Sequence, residues 1–137
     1  MKAKKMIVPI LMGVLMAFAI LPMTAGKAYA ESYKLYVGDT QVTSVNASDI
    51  LGDGTASYNA TSNTLTLDGA TITMTGDVTL IESEIPDLTI EVKGENKLLG
   101  GLIGIESFRD FTITGDGSLE AEVSDFGIVS ILGGVTI

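Results

Sequence analysis

The feature that most limits how this chain can fold is a repeat of 23–24 residues in its C-terminal half. Two series of short motifs follow this period in the same phase, and repetition of this kind is typical of solenoids, in which each repeat packs on its neighbours. The first series is Leu65-Thr66-Leu67, Leu88-Thr89-Ile90, Phe111-Thr112-Ile113 and Val135-Thr136-Ile137. The second series is Ile81-Glu82-Ser83, Ile105-Glu106-Ser107 and Ile128-Val129-Ser130.

Each repeat has the composition of short β-strands joined by turns. The triplets alternate apolar and polar side chains with the period of a strand, and they are rich in Val, Ile and Thr. Gly-Asp steps such as Gly76-Asp77 and Gly115-Asp116 indicate turns. We therefore predict an all-β chain whose residues 65–137 form the coils of a right-handed parallel β-helix. An antiparallel β-sandwich is the alternative, because evenly spaced short strands also fit that fold.

Stacked coils would place equivalent residues in rows, about 4.8 Å apart. The alignment predicts two inward rows and one outward threonine row, and it places Phe126 beside Ile103 in the core. The inward rows are Leu65, Leu88, Phe111 and Val135, and Leu67, Ile90, Ile113 and Ile137; the outward row is Thr66, Thr89, Thr112 and Thr136.

The two ends of the repeat region differ. Residues 31–64 do not follow the repeat, and residues 33–37 and 41–43 flank Gly38-Asp39-Thr40 as in a hairpin. Since solenoids have atypical terminal units, we predict an N-terminal β cap here. At the other end, Ile137 falls inside a predicted strand, so we expect further β-helix coils in the full-length chain.

Residues 1–30 have the three parts of a secretory signal peptide, predicted to be helical: a basic start, a long apolar stretch and the small-residue site Ala28-Tyr29-Ala30. We predict cleavage before Glu31 and a secreted or cell-surface location on a bacterium, most consistent with a Gram-positive one. A retained membrane anchor is the alternative, because the apolar stretch approaches the roughly 20 residues of a spanning helix.

Cleavage would leave a strongly acidic chain. Four of the eight basic residues lie in residues 1–30 and all seventeen acidic residues follow, so residues 31–137 carry a net charge of −13. This charge argues against nucleic acid and anionic lipid as partners, because such binding depends on Lys and Arg. The chain has no Cys and no His, which excludes disulfides, Ser-His-Asp and Cys-His catalysis, and histidine-ligated zinc.

Two pairs of carboxylates would stack in the predicted rows. Asp87 and Asp110 hold equivalent positions, and so do Glu82 and Glu106. Like charges facing each other are destabilising, and calcium binds groups of oxygen ligands, so a calcium site at these residues is one prediction. The alternative is a solvated acidic face, partly neutralised by Arg109.

Residues 33–73 hold three segments that together carry a resemblance to known proteins. They are Leu35-Tyr36-Val37-Gly38, Asn46-Ala47-Ser48-Asp49-Ile50-Leu51-Gly52-Asp53-Gly54-Thr55 and Asn63-Thr64-Leu65-Thr66-Leu67. This stretch resembles the opening of a group of exported Firmicutes surface proteins, which are similar to bacterial carbohydrate-binding domains with a right-handed parallel β-helix fold. The resemblance extends over most of residues 33–137. It implies non-catalytic binding of plant or cell-surface polysaccharide, with calcium in some relatives.

Carbohydrate binding usually needs exposed aromatic side chains, and Tyr36 and Phe108 are the best placed for exposure. We therefore predict non-catalytic binding of polysaccharide or cell-surface glycan, or adhesion, rather than an enzyme. A structural stalk in a larger surface protein is the alternative. A polysaccharide lyase or glycosidase is a less favoured third, because no set of acidic and basic residues converges in the repeat.

Overall fold

The computed structural model describes residues 29–137, and the predicted signal-peptide helix lies outside this range apart from its last two residues. The chain divides into two units, Met1–Ala30 and Glu31–Ile137. Every regular element from residue 29 onward is a β-strand, and none of these residues belongs to a helix able to cross a membrane. The strands are β1 (Ser32–Val37), β2 (Thr40–Thr43), β3 (Ala56–Asn59), β4 (Thr64–Asp68), β5 (Thr71–Met74), β6 (Thr79–Ser83), β7 (Leu88–Lys93), β8 (Glu95–Gly100), β9 (Ile103–Ser107), β10 (Phe111–Gly115), β11 (Ser118–Glu122), β12 (Phe126–Ser130) and β13 (Val135–Thr136).

The strands stack as a parallel β-helix of three coils. Strands β4, β5 and β6 form the first coil, β7, β8 and β9 the second, and β10, β11 and β12 the third. Each coil contributes one strand to each of three sheets, and every strand pairs in parallel with its counterpart in the next coil. The predicted parallel β-helix is confirmed, and the antiparallel sandwich is wrong.

Antiparallel strands cap the N-terminal end, as predicted. The hairpin of β1 and β2 joins the sheet of β6, β9 and β12 through antiparallel pairing of β1 with β6. Strand β3 pairs antiparallel with β4 and extends a second sheet. Between them, the loop of residues 44–55 brings Ile50 into the core, where it is 5% exposed. The cap therefore covers apolar side chains of the first coil.

The predicted alignment is correct for β6 and for the later coils, and it is wrong for β4, the first strand of the first coil. Leu88 pairs with Phe111, and Ile81 with Ile105, as predicted. Leu65, however, pairs with Ile90 instead of Leu88, so β4 is shifted by two residues. The outward threonine row therefore starts at Thr64, and Thr66 faces Glu91. A shift of two residues keeps every side chain on its own face of the sheet, which is why the core still forms.

The core is apolar and runs along the axis of the coils. Leu65, Leu88 and Phe111 are at most 2% exposed. Phe126 pairs with Ile103 as predicted but is 53% exposed, because β12 is an edge strand in the described part of its sheet and packs against a coil on one side alone. Val135 is also partly exposed on the edge strand β13.

Three polar side chains of the described residues, those of Ser83, Asn96 and Ser107, are deeply buried. Asn96, at 1% exposure, accepts a hydrogen bond from the backbone N–H of Ala70 at 2.8 Å and donates to the carbonyl oxygens of Lys93 and Ser118 at 3.0 Å each. These partners belong to three successive coils. Asn96 therefore joins the coils through one fully hydrogen-bonded amide.

Candidate functional site

The candidate site lies on the outer face of the sheet formed by β2, β1, β6, β9 and β12. Outward-facing residues form a row across this sheet, because paired residues of neighbouring strands lie side by side. Tyr36 pairs with Gln41 on one side and with Glu82 on the other, and Glu82 pairs with Glu106. The row therefore places an exposed tyrosine ring beside an amide and two carboxylates.

A second row continues from the ends of the same strands. The backbone N–H of Glu84 donates to the carbonyl of Lys34 at 2.9 Å, and the N–H of Phe108 donates to the carbonyl of Ser83 at 2.9 Å. These bonds place Lys34, Glu84 and Phe108 next to one another. The Lys34 Nζ and Glu84 Oε1 atoms are 3.4 Å apart. Both side chains are more than half exposed, so water screens this ion pair and its stabilising effect is small.

The two rows enclose a groove of about 440 Å³, within the range of small-ligand pockets. Its lining residues are Lys34, Tyr36, Gln41, Glu82, Glu84 and Phe108. The tyrosine ring is 40% exposed and Phe108 is half-buried. Two aromatic surfaces thus face a space surrounded by hydrogen-bonding groups, and the two aromatic residues predicted from the sequence meet in one groove.

The four predicted calcium ligands do not form one cluster. Glu82 and Glu106 are paired on β6 and β9, and the Glu106 carboxylate accepts a hydrogen bond from the Thr79 hydroxyl at 3.0 Å. Asp87 and Asp110 lie just before β7 and β10, which belong to a different sheet. From residue 29 onward, no three acidic side chains come together in a way that could hold a metal ion. Calcium binding at these residues stays a prediction. Each pair would supply two carboxylates to a bound ion.

The second pair of carboxylates also has a structural role. Asp87 follows Pro86 in a turn and adopts a left-handed conformation, with φ of 53°, which Asp tolerates better than most residues. The Asp110 Oδ1 atom accepts a hydrogen bond from the backbone N–H of Gly134 at 2.6 Å. Asp87 therefore belongs to the turn that leads into β7, and Asp110 stabilises the turn that leads into β13.

Sequence reasoning missed three residues of the groove. Lys34 shares the outward face of β1 with Tyr36, and strand alternation could have identified it. Glu84 follows Glu82 by two residues and could have been found in the same way. Gln41 could not be placed without the pairing of β2 with β1, since the cap does not follow the repeat.

No protein-family model, curated protein or solved structure matches this chain. The chemistry of the groove is therefore the ground on which a function can be inferred.

Proposed function

We propose that the chain is an exported bacterial module that binds polysaccharide without catalysing a reaction, and that the groove around Tyr36 and Phe108 is its binding site. The observation that carries the proposal is the meeting of two aromatic side chains with Gln41, Glu82 and the Lys34–Glu84 pair. Sugar rings have apolar faces, which pack on aromatic rings, and hydroxyl edges, which bind amides and charged groups. The resemblance of residues 33–73 to exported carbohydrate-binding surface proteins supports the same class.

The charge of the groove favours a glycan without acidic groups. Two carboxylates and one ammonium line it, in a unit with a net charge of −13. A polyuronate would be repelled by this field, whereas the hydroxyl groups of a neutral glycan can donate to the carboxylates. We therefore propose neutral polysaccharides as the ligand class.

The test is binding of the chain from Glu31 onward, which forms a compact unit by itself, to immobilised cellulose, mixed-linkage glucan, mannan, chitin and pectin. We expect binding to at least one neutral polymer and little to pectin. Tyr36→Ala should weaken binding about tenfold, which corresponds to about 1.4 kcal/mol. Phe126→Ala is the matched control, because this aromatic side chain is also exposed but lies outside the groove. Absence of binding by the unaltered chain, or full binding by Tyr36→Ala, would overturn the proposal.

A structural stalk is the second candidate. It is favoured by the regular parallel stacking of the coils and by the way Asn96 joins three of them. A stalk would bind none of these polysaccharides, so the same experiment separates the two functions.

Incubation of the chain with the polymer that it binds should release no reducing ends. The appearance of reducing ends would indicate a glycosidase or lyase instead.

A further inference from the structure

A second hollow lies beside the groove, where β1 begins and β6 ends. It measures about 340 Å³ and lies around residues of the N-terminal cap and of the turn after β6. Its lining includes Glu31, Tyr33, Lys34, Tyr58, Ala60 and Glu84. Lys34 and Glu84 also line the first groove, so the two hollows meet at this ion pair.

The second hollow has its own aromatic wall. The rings of Tyr33 and Tyr58 pack with their centroids 5.2 Å apart at an interplanar angle of 58°. Tyr58 is buried, and its hydroxyl donates to the Asn63 Oδ1 atom at 3.1 Å. Burial, with a smaller contribution from Tyr33, raises the pKa of Tyr58, so the hydroxyl stays a donor. The Asn63 amide in turn donates to the Pro86 carbonyl at 3.4 Å. The wall is thus held in place before any ligand binds, and Tyr33 is its half-buried face.

We propose that the second hollow is a further sugar subsite, so that the site binds a linear oligosaccharide spanning both hollows and not a single sugar. This inference rests on the proposed function. Tyr36 and Phe108 line the first hollow, the Lys34–Glu84 ion pair lines both, and the half-buried Tyr33, backed by the buried Tyr58, lines the second. This order suits a glycan chain, whose ring faces pack on the aromatic residues while the hydroxyl groups between them bind the Lys34 ammonium and the Glu84 carboxylate.

The charge of the second hollow also gives no preference for acidic sugars. The carboxylates of Glu31 and Glu84 and the Lys34 ammonium line it, and cleavage before Glu31 would add an α-ammonium there. With no excess of positive charge to attract a polyuronate, the glycan class proposed for the groove applies to both subsites.

The test measures affinity against chain length. The probes are neutral oligosaccharides of two to six units from three series: β-1,4-linked glucose, β-1,3-linked glucose and β-1,4-linked N-acetylglucosamine. In the series that binds, we expect oligosaccharides of six sugar units to bind about tenfold more tightly than those of two units. Tyr33→Ala should abolish most of this rise while leaving the affinity for two units unchanged. Tyr36→Ala should weaken binding at every length.

A second variant guards against unfolding of Tyr33→Ala. Ala60 is exposed and lines the second hollow but not the first, so Ala60→Glu adds bulk there without disturbing the core. It should also remove the rise with length. Affinity that does not depend on length, or a rise that persists in Ala60→Glu, would overturn the second subsite while leaving the first intact. No binding in any series, together with none to the polymers, would overturn the proposed function itself.

Discussion

Asn96 bonds to residues of all three coils, so its loss should weaken their stacking. Asn96→Ala would remove the side-chain bonds to the N–H of Ala70 and the carbonyl of Ser118, whereas the Lys93 carbonyl would keep its bond from the N–H of Gly69. A buried polar group without a hydrogen bond costs about 1–3 kcal/mol, so we expect a loss of about 3 kcal/mol in the free energy of unfolding. Urea unfolding of the chain from Glu31 onward measures this loss.

The matched control for Asn96 is Asn59→Ala. Asn59 is exposed, and its side chain accepts bonds from the N–H groups of Thr61 and Ser62. Water can replace these bonds, so the cost should be under about 1 kcal/mol. Equal losses for the two variants would show that Asn96 does not join the coils as the geometry indicates.

Gly115 is held in a conformation and a space that suit glycine alone. Its φ is +115°, and an added Cβ atom would collide with the backbone oxygen of Val92 in the coil beneath. We expect Gly115→Ala to lower the free energy of unfolding by more than about 2 kcal/mol. Gly54→Ala is the control, since Gly54 also has a positive φ of 80° but open space around it; its loss should be about 1 kcal/mol. Similar losses at the two sites would contradict a tight approach at Gly115.

At the scale of the strands, the repeat predicted the sheets but not the register of β4 in the first coil. The spacing from Leu65 to its partner Ile90 is 25 residues, whereas Leu88 and Phe111 are 23 apart. The turn between β5 and β6 holds four residues and that between β8 and β9 holds two, and the turn before β7 holds four residues whereas that before β10 holds three. A slip of two residues preserves the alternation of inward and outward side chains, so the apolar pattern cannot reveal it.

Engineered cysteines test this register, since the chain has none of its own. Thr64 and Thr89 are direct partners, so Thr64→Cys with Thr89→Cys should form a disulfide on mild oxidation. The Cα atoms of such partners lie about 5 Å apart, within disulfide range. Thr66→Cys with Thr89→Cys is the control, which should stay reduced because diagonal partners are about 7–8 Å apart. Titration of free thiols measures both. Efficient crosslinking of the control alone would restore the register that the repeat suggested.

The candidate groove shows a similar division between what the sequence predicts and what it does not. In the sequence, Tyr36 and Phe108 are the aromatic residues best placed for exposure. That the two meet depends on the antiparallel pairing of β1 with β6. No periodicity in the sequence links the cap to the coils, so the three-dimensional structure was needed to place Tyr36 and Phe108 in one groove.

At the scale of the whole molecule, negative charge outweighs positive. With a net charge of −13 on residues 31–137, cations should stabilise the fold by screening repulsion between carboxylates. Paired glutamates such as Glu82 and Glu106 supply two carboxylates, fewer ligands than the six to eight that calcium prefers. We therefore expect calcium and magnesium at equal concentrations to raise the melting temperature equally, relative to a chelator. A larger rise with calcium that disappears in Glu82→Gln would instead establish a calcium site.

The central claim is that the groove on the outer face of the β1–β6–β9 sheet binds a neutral glycan. Amide NMR spectra of the chain from Glu31 onward, titrated with the oligosaccharide that binds most tightly, test it directly. We predict that the shifts concentrate at Tyr36, Glu82, Glu84 and Phe108, and extend to Tyr33 with the longer chains. Shifts confined to the threonine face around Thr64, Thr89 and Thr112, or no shifts at all, would contradict the assignment of the groove.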